Sequence, residues 1–202
     1  MPRLTAERLQ DRRDSIIAAA RDVFTRNGFA QSSVSDIAQA AGISDGLLYR
    51  YFPNKQELLF EVLGGFYTKV ITGAEQAIEI APDFESKLLA LVQQHLKTFA
   101  RDTDLCRLFI AEVRNFDDYV GSEIQQLNRR YASIFLRVFA TGVERGIVSA
   151  EIDLRLLRDI LFGGIEHWAW RHISMDLPMD VKGTASMICN LLLGGVGGDR
   201  RG

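Results

Sequence analysis

The sequence is poor in residues that interrupt or cross-link a chain, with four prolines and two cysteines among 202 residues. Proline lacks a backbone N–H and breaks helix interiors, so its scarcity favours an all-helical protein. Cys106 and Cys189 lie far apart and lack the spacing of a metal or redox site. We expect both to be buried thiols in a reducing compartment.

The sequence also lacks a strong net charge, an apolar leader and a long uncharged apolar run. A formal net charge of −2 excludes a polycation that binds nucleic acid through its overall charge. No run reaches membrane-spanning length without charges, so we expect a soluble, cytoplasmic protein that makes no membrane contact. Charge is nevertheless uneven, because residues 1–55 carry a net +2 and the remainder −4.

Histidine is scarce, and no catalytic motif is present. His167 and His172 are five residues apart and do not share a helix face, and His95 is remote from both, so we expect no metal site. There is no nucleophile elbow, phosphate-binding loop or convincing acid–base pair. The sequence therefore predicts a protein that is not an enzyme and has no cofactor.

What the sequence does contain is a pair of short helices with clear end signals between Ser33 and Lys55. Ser33 is a helix N-cap, and Asp36 stands at the capping-box position. Gly42 supplies the left-handed conformation that ends the first helix, and Ser44 caps the second. This pattern is typical of a helix-turn-helix, although such corners also occur as plain structure with exposed aromatic residues at the rim.

The second of these helices has an unusual outward face. Leu48 and Phe52 are four residues apart and should point inward, which leaves Asp45, Gly46, Leu47, Tyr49 and Arg50 on the outside. Such a face suits a DNA major groove, where Leu47 can contact a thymine methyl group and Arg50 a guanine or a phosphate. The candidate DNA-binding residues are Ser33, Ser35, Ser44, Asp45, Gly46, Leu47, Tyr49, Arg50, Tyr51 and Lys55.

The string IAQAAGISDGLLYRYFPNKQELL resembles the N-terminal signature of the TetR family of bacterial transcription regulators, IA..AG(V/I)S.G.LY.(H/Y)F..K..L. The resemblance covers about residues 10–63. Asp45 and Leu47 depart from the residues common in the family, and both face the groove. The family's kind of DNA contact therefore carries over, but its operator sequence does not. Asp45 either accepts from a cytosine amino group or serves only as a helix-start charge.

Periodicity along the chain predicts an all-α fold of about nine helices, a three-helix head followed by an antiparallel bundle. We assign residues 1–56 to the helix-turn-helix domain and 57–202 to a ligand-binding and dimerisation domain. Residues 1–10 form a loose arm, in which Arg3 and Arg8 either reach DNA or stay disordered. The predicted helices outside the helix-turn-helix are 12–27, 55–80, one capped by Asp83 that ends near residue 101, 104–116, 118–144, one capped by Asp153 that ends near residue 174, and one that follows Pro178 and ends near residue 193.

The resemblance implies that the second domain binds a small ligand and dimerises through its last two long helices. Those helices carry more apolar surface than packing along one side of a helix requires. Either a second copy of the chain covers the excess, or both helices are buried within one subunit. The candidate dimer residues are Leu161, Gly164, Trp168, Ile188, Leu191 and Leu192. The candidate pocket residues, which plain core packing would also explain, are Phe109, Glu112, Phe116, Tyr131, Phe135, Phe162 and Trp168, with Phe139 beside them.

The function that the resemblance implies is that of a TetR-type transcriptional repressor, which a small apolar or amphipathic ligand releases from a pseudo-palindromic operator. The partners are double-stranded DNA, the ligand and a second copy of the chain. The aromatic interior is similar to that of regulators that sense fatty acyl thioesters or lipophilic drugs. Two alternatives remain: an activator of the same fold, and a helical scaffold that binds protein without reading DNA.

Overall fold

The computed structural model describes residues 6–111, 113, 116 and 119–196. These residues form nine α-helices and no β-strand, which confirms the predicted all-α class. None of the described helices is both long and apolar enough to cross a membrane. The helices are α1 Ala6–Asn27, α2 Val34–Ala40, α3 Asp45–Tyr51, α4 Lys55–Glu79, α5 Phe84–Arg101, α6 Thr103–Ala111, α7 Glu123–Glu144, α8 Leu154–Ser174 and α9 Val181–Val196.

The chain divides into two compact units. Among the described residues, the first unit comprises 6–66 with the described part of 108–125, and the second comprises 67–107 and 126–196. The change from one to the other falls inside α4, between Phe66 and Tyr67. The domain boundary predicted after residue 56 stays a prediction, and it lies at the start of α4 rather than within it.

The first unit is built around a small core between α1, α2 and α3. α1 contributes a buried stripe that includes Ile16 and Phe24, and α2 contributes Ile37. Leu48 of α3 is fully buried against them. The turn between α2 and α3 depends on Gly42, whose φ of 65° is accessible to glycine at little cost. The predicted helix-turn-helix is therefore present, with its core on the inner side of both short helices.

Helix α1 begins at Ala6, so the prediction of a loose arm through residue 10 is wrong for residues 6–10. Every side chain from Ala6 to Arg12 is exposed, which removes the apolar periodicity on which the prediction relied. The segment consists largely of strong helix formers such as Ala, Glu, Arg, Leu and Gln, and it propagates from the packed part of α1. Arg3 lies outside the described residues.

Helices α6 and α7 differ from their predicted bounds. Helix α6 ends at Ala111 rather than Phe116, and α7 begins at Glu123 rather than Asp118, which lies outside the described residues. Gly121 has a φ of 89°, a conformation that interrupts a helix. The hydroxyl of Ser122 then accepts from the N–H of Gln125 at 3.1 Å and caps α7.

The second unit contains most of the molecule's aromatic core. Helix α5 packs against α8 and α9, and it buries residues along most of its length, from Phe84 to Phe99. The predicted Asp83 cap is confirmed, since its carboxylate accepts from the N–H of Ser86 at 2.7 Å. Both cysteines are buried, as predicted, and burial raises the pKa of Cys106 to about 12. Thiols in this state are poor nucleophiles.

Candidate nucleic-acid interface

The outward face of α3 is open, as the sequence predicts. Ser44 caps the helix, its hydroxyl accepting from the N–H of Leu47 at 3.3 Å. The ring of Tyr49 is 53% exposed, whereas Leu48 beside it is fully buried. A Cβ atom added to Gly46 would meet nothing within 4 Å, so the backbone itself can approach a ligand closely. Asp45, Gly46, Tyr49 and Arg50 are exposed, while Leu47 and Tyr51 are half-buried at one flank.

The start of α2 is fixed by a complete capping box. The hydroxyl of Ser33 accepts from the N–H of Asp36 at 3.0 Å, and the Asp36 carboxylate accepts from the N–H of Ser33 at 2.9 Å. The hydrogen bond from the Ser33 hydroxyl holds the pKa of Asp36 below its usual value. Ser33 is therefore used structurally, and its predicted DNA contact stays a prediction.

Asp45 has a role that neither interpretation from sequence included. Its carboxylate accepts a short hydrogen bond from the hydroxyl of Ser35, so it ties the first turn of α3 to the first turn of α2. Two predicted DNA-binding residues thus hold each other, and the relative placement of the two helices depends on them. Their contacts with DNA stay predictions.

Lys55 is engaged within the protein. Its ammonium group donates to the carbonyl oxygens of Phe29 at 2.7 Å and Ser32 at 2.8 Å. It also lies 4.2 Å from the centroid of the Phe29 ring, which is a cation–π distance. These contacts attach the start of α4 to the turn before α2. A lysine at this position therefore orders the head, whether or not its third N–H reaches a phosphate.

In the second unit, four of the aromatic side chains surround one buried histidine, His95, which was not among the predicted site residues. The Nδ1 atom of His95 lies 2.9 Å from the hydroxyl oxygen of Tyr131, and the imidazole stacks on Phe162 at 4.7 Å. Phe99 and Phe135 approach its ring edge-on, at 5.3 and 5.9 Å. We call these five residues the His95 cluster. Periodicity could not single out His95, because it occupies a core position of α5.

Burial controls the ionisation of the polar pair in this cluster. Desolvation lowers the pKa of His95 from 6.5 to about 3, and it raises the pKa of Tyr131 above its usual value. Both groups are therefore neutral at physiological pH. The pair is a hydrogen-bonding site in otherwise apolar surroundings.

The predicted pocket residues do not all lie in one unit. Tyr131, Phe135 and Phe162 meet at the His95 cluster, and the centroid of the Trp168 ring lies 4.1 Å from that of His172, with the two rings tilted by 35°. Phe109 and Phe116 belong to the first unit, where their rings contact Tyr119 at 6.2 Å and Phe29 at 5.1 Å. Phe139 is buried in α7, and Glu112 lies outside the described residues.

The predicted dimer residues differ in exposure. Leu161 is only 4% exposed and packs inside its own protomer, whereas Leu191 is 77% exposed. Gly164 is exposed, and Trp168, Ile188 and Leu192 are half-buried. Exposed apolar side chains that the candidate set omits extend the same surface at four-residue spacing: Leu156 and Ile160 on α8, and Met187 before Leu191 on α9.

A seven-residue capped helix with an open outer face, mounted on a three-helix head, defines the class of helix-turn-helix DNA-binding proteins. The chain belongs to the tetR family. The family profile described as "Bacterial regulatory proteins, tetR family" matches residues 16–62. A second profile, described as "YsiA-like protein, C-terminal region", matches residues 63–195. The predictions of TetR membership and of a DNA-binding transcriptional regulator are confirmed.

Individual relatives cover nearly the whole chain. The fatty acid metabolism regulator protein of Bacillus subtilis (strain 168) is 28% identical over 181 residues, which are 90% of this chain and 93% of that protein. The fatty acid degradation regulator FadR of Bacillus halodurans is 31% identical with a TM-score of 0.79, over 91% of this chain and 98% of its own. FadR of Bacillus subtilis, solved in complex with stearoyl-CoA, is 28% identical with a TM-score of 0.81 over the same shares.

Proposed function

We propose that this protein is a transcriptional repressor of genes of fatty acid metabolism, and that a long-chain acyl-CoA releases it from its operator. The observation that carries the DNA-binding half is the outer face of α3, where Tyr49 is 53% exposed and Gly46 leaves open space. Side chains of this type serve no packing role on the outside. They match the donors and apolar groups that read base edges and phosphates in a major groove.

The effector half of the proposal is supported by the His95 cluster and by the relatives. The cluster places aromatic rings, which suit an alkyl chain, around one neutral hydrogen-bonded pair, His95 with Tyr131, which suits a carbonyl group. Relatives of 28% and 31% identity are named as regulators of fatty acid metabolism or degradation, and one was solved with stearoyl-CoA. An acyl thioester combines an alkyl chain with a carbonyl.

The repressor acts as a dimer in this proposal. One seven-residue reading helix offers few contacts, whereas a two-fold dimer reads two half-sites about 34–36 Å apart. The surface available for pairing is the row of exposed apolar side chains on α8 and α9, from Leu156 and Ile160 to Met187 and Leu191. Apolar rows of this kind are costly in water unless a partner covers them.

Helix α4 connects ligand binding to DNA release, because it starts in the first unit and ends in the second. By linkage, an acyl-CoA that weakens operator binding must itself bind more weakly when operator is present, by the same factor. Reciprocity of this kind is a test that an accidental lipid contact would fail.

The experiment measures the affinity of the full chain for a duplex selected from genomic DNA, by fluorescence anisotropy, with and without stearoyl-CoA. We expect Arg50→Ala to lower affinity by about 1–3 kcal/mol if it contacts a base, while the exposed Arg129→Ala in α7 changes little. Stearoyl-CoA should weaken binding, and free coenzyme A should not. Failure to bind any duplex would exclude a DNA-binding role and leave the protein-binding scaffold.

A selected duplex that binds equally well with and without stearoyl-CoA would retain the regulator and reject this effector. Transcription from a reporter that carries the duplex then separates a repressor from an activator of the same fold. Loss of the protein should raise transcription for a repressor and lower it for an activator.

A further inference from the structure

A cleft of about 500 Å³ lies between α1 and α3, beside the reading face. One side of α1 and one side of α3 form its walls, because residues three or four apart share one side of a helix. The α1 wall consists of Arg8, Asp11, Arg12 and Ser15, and the α3 wall consists of Leu47 and Tyr51. We call it the α1–α3 cleft. The cleft depends on the extension of α1 to Ala6, because the first turn of that helix positions Arg8 in the cleft wall.

Neither arginine of the cleft forms an ion pair with another described residue, whereas two other cations of the head are engaged within the protein. Arg13, one residue after Arg12, forms an ion pair with Glu61, and Lys55 is held by two carbonyl oxygens. Arg8 and Arg12 are exposed. With Asp11 the cleft carries three charged groups and a net +1, and both guanidinium groups are available to an anion.

The position of the cleft identifies the anion. A helix in a major groove about 12 Å wide has a phosphate backbone on each side. On one flank of α3, Asp45 is tied to Ser35 at the start of α2. The opposite flank carries Leu47 and Tyr51, and the α1–α3 cleft opens there.

We propose that the α1–α3 cleft is a phosphate-binding site for the DNA backbone that flanks the base pairs read by α3. Arg8 and Arg12 neutralise phosphates, and the hydroxyl of Tyr51 is available as a third donor. Asp11 opposes the phosphates and limits the strength of non-specific binding. The inference rests on the proposed DNA-binding function and extends it to two residues of α1 that lie outside the helix-turn-helix.

The site has a specific signature, because phosphate contacts release counterions and base contacts do not. Each neutralised phosphate contributes roughly 0.9 to the slope of log K against log salt concentration. We expect Arg8→Gln/Arg12→Gln to lower that slope by roughly 2 for each head that contacts the duplex. The preference for the selected duplex over an unrelated one should not change, since backbone contacts carry no sequence information.

The control removes the same charge elsewhere. Arg129→Gln/Arg130→Gln changes two exposed arginines of α7. It should leave the slope as in the unmodified protein. Asp11→Asn should change the affinity in the opposite direction, because removing the carboxylate should strengthen binding to both duplexes. Circular dichroism of each variant confirms that the helices are retained, which is expected because Arg8, Asp11 and Arg12 are exposed.

The outcomes separate this inference from the function on which it rests. If the unmodified protein binds duplex and the Arg8→Gln/Arg12→Gln variant keeps the full salt slope, the phosphate site is rejected while the regulator stands. If no duplex is bound at all, the proposed function itself fails. A titration with inorganic phosphate tests the alternative that the cleft binds free phosphate and not the DNA backbone. Phosphate binding that depends on Arg8 and Arg12, with an unchanged duplex slope, would also overturn the proposal.

Discussion

The candidate functional groups are exposed in the first unit of the molecule and buried in the second. In the first unit the residues that fit DNA lie outside, on a helix whose inner side is closed by Leu48, and Tyr49 is 53% exposed. In the second unit the polar pair that we propose as part of the ligand site lies inside, where His95 is 9% exposed and Tyr131 3%. An outward-facing function leaves exposed residues that packing does not explain. An inward-facing function uses the same residue types as the core.

This difference determines which substitutions separate function from stability. An exposed side chain contributes little to folding, so its removal reports on binding alone. A buried aromatic side chain contributes to both, so its removal changes folding first. The following four tests use that contrast, beginning with the largest expected effect.

Truncation of Phe135 should destabilise the protein far more than truncation of Tyr49. Phe135 is fully buried and packs edge-on against Phe162, so Phe135→Ala should cost about 3–5 kcal/mol in the free energy of unfolding. Tyr49→Ala should change it by no more than about 0.5 kcal/mol. Urea denaturation followed by circular dichroism measures both. Similar losses from the two variants would contradict the assignment of Tyr49 to an open face.

The second unit should lose stability in mild acid through His95. Its folded pKa of about 3 lies below the ordinary 6.5, so below pH 6.5 the unfolded chain binds a proton that the folded chain refuses. The stability is present above that pH and is lost as pH falls, at about 1 kcal/mol per pH unit. His95→Gln, which can still bond to Tyr131, should remove this component from urea titrations between about pH 6.5 and 4.5.

The control for this test is Tyr131→Phe. It removes the hydrogen bond to His95 but leaves the titrating group in place. We expect lower stability at every pH and an unchanged dependence on pH. A steep acid loss that persists in His95→Gln would assign the dependence to other groups.

Lys55 and Arg50 should separate order in the head from DNA contact. Lys55→Met leaves the carbonyl groups of Phe29 and Ser32 without their donor, which should cost about 1–3 kcal/mol of local stability. Hydrogen exchange of the α1–α3 amides measures that loss. Arg50→Met should leave exchange unchanged and lower DNA affinity. The reverse result would mean that Lys55, not Arg50, is the contact residue of this part of the head.

The glycine pair in α4 should give the smallest effect, with a sign set by packing. Added Cβ atoms at Gly64 and Gly65 would meet nothing within 4 Å, so each change to Ala should stabilise the helix by about 0.5–1 kcal/mol. The same change at Gly142 in α7 should destabilise, because its Cβ would lie 2.7 Å from both Phe84 and Val148.

Thermal unfolding of these alanine variants measures both signs. If bending of α4 takes part in release, Gly64→Ala/Gly65→Ala should also reduce the factor by which stearoyl-CoA weakens DNA binding. Stabilisation with an unchanged factor would show that α4 moves as a straight helix.

Much of the head could be predicted because its signals are local. Ser33, Gly42 and Ser44 each act on a neighbouring backbone group, and the caps and the positive φ occur where the sequence predicts them. The start of α1 was missed because residues 6–12 contain only two apolar residues, Ala6 and Leu9, which provide no helical period. Helix propensity, a weaker signal, was the one available there.

The second unit could be predicted as a helical bundle but not as a site. His95 is 36 residues from Tyr131 along the chain, and their hydrogen bond depends on how α5 packs beside α7. The same applies to Asp45, whose bond to Ser35 spans ten residues across the turn. In both cases a polar residue gains its role from a partner that local periodicity does not reveal.

The sequence by itself determined the helical class, the caps and the inner and outer sides of α3, because each of these depends on residues within one or two turns of each other. Tertiary structure alone decided that Lys55 is an internal anchor, that His95 is a neutral core group, and that Arg8 and Arg12 share a cleft with Tyr51. The physical reason is that burial and pairing are properties of packed surfaces. Residues distant in the chain become neighbours there, and only their neighbours fix their charge, exposure and available hydrogen bonds.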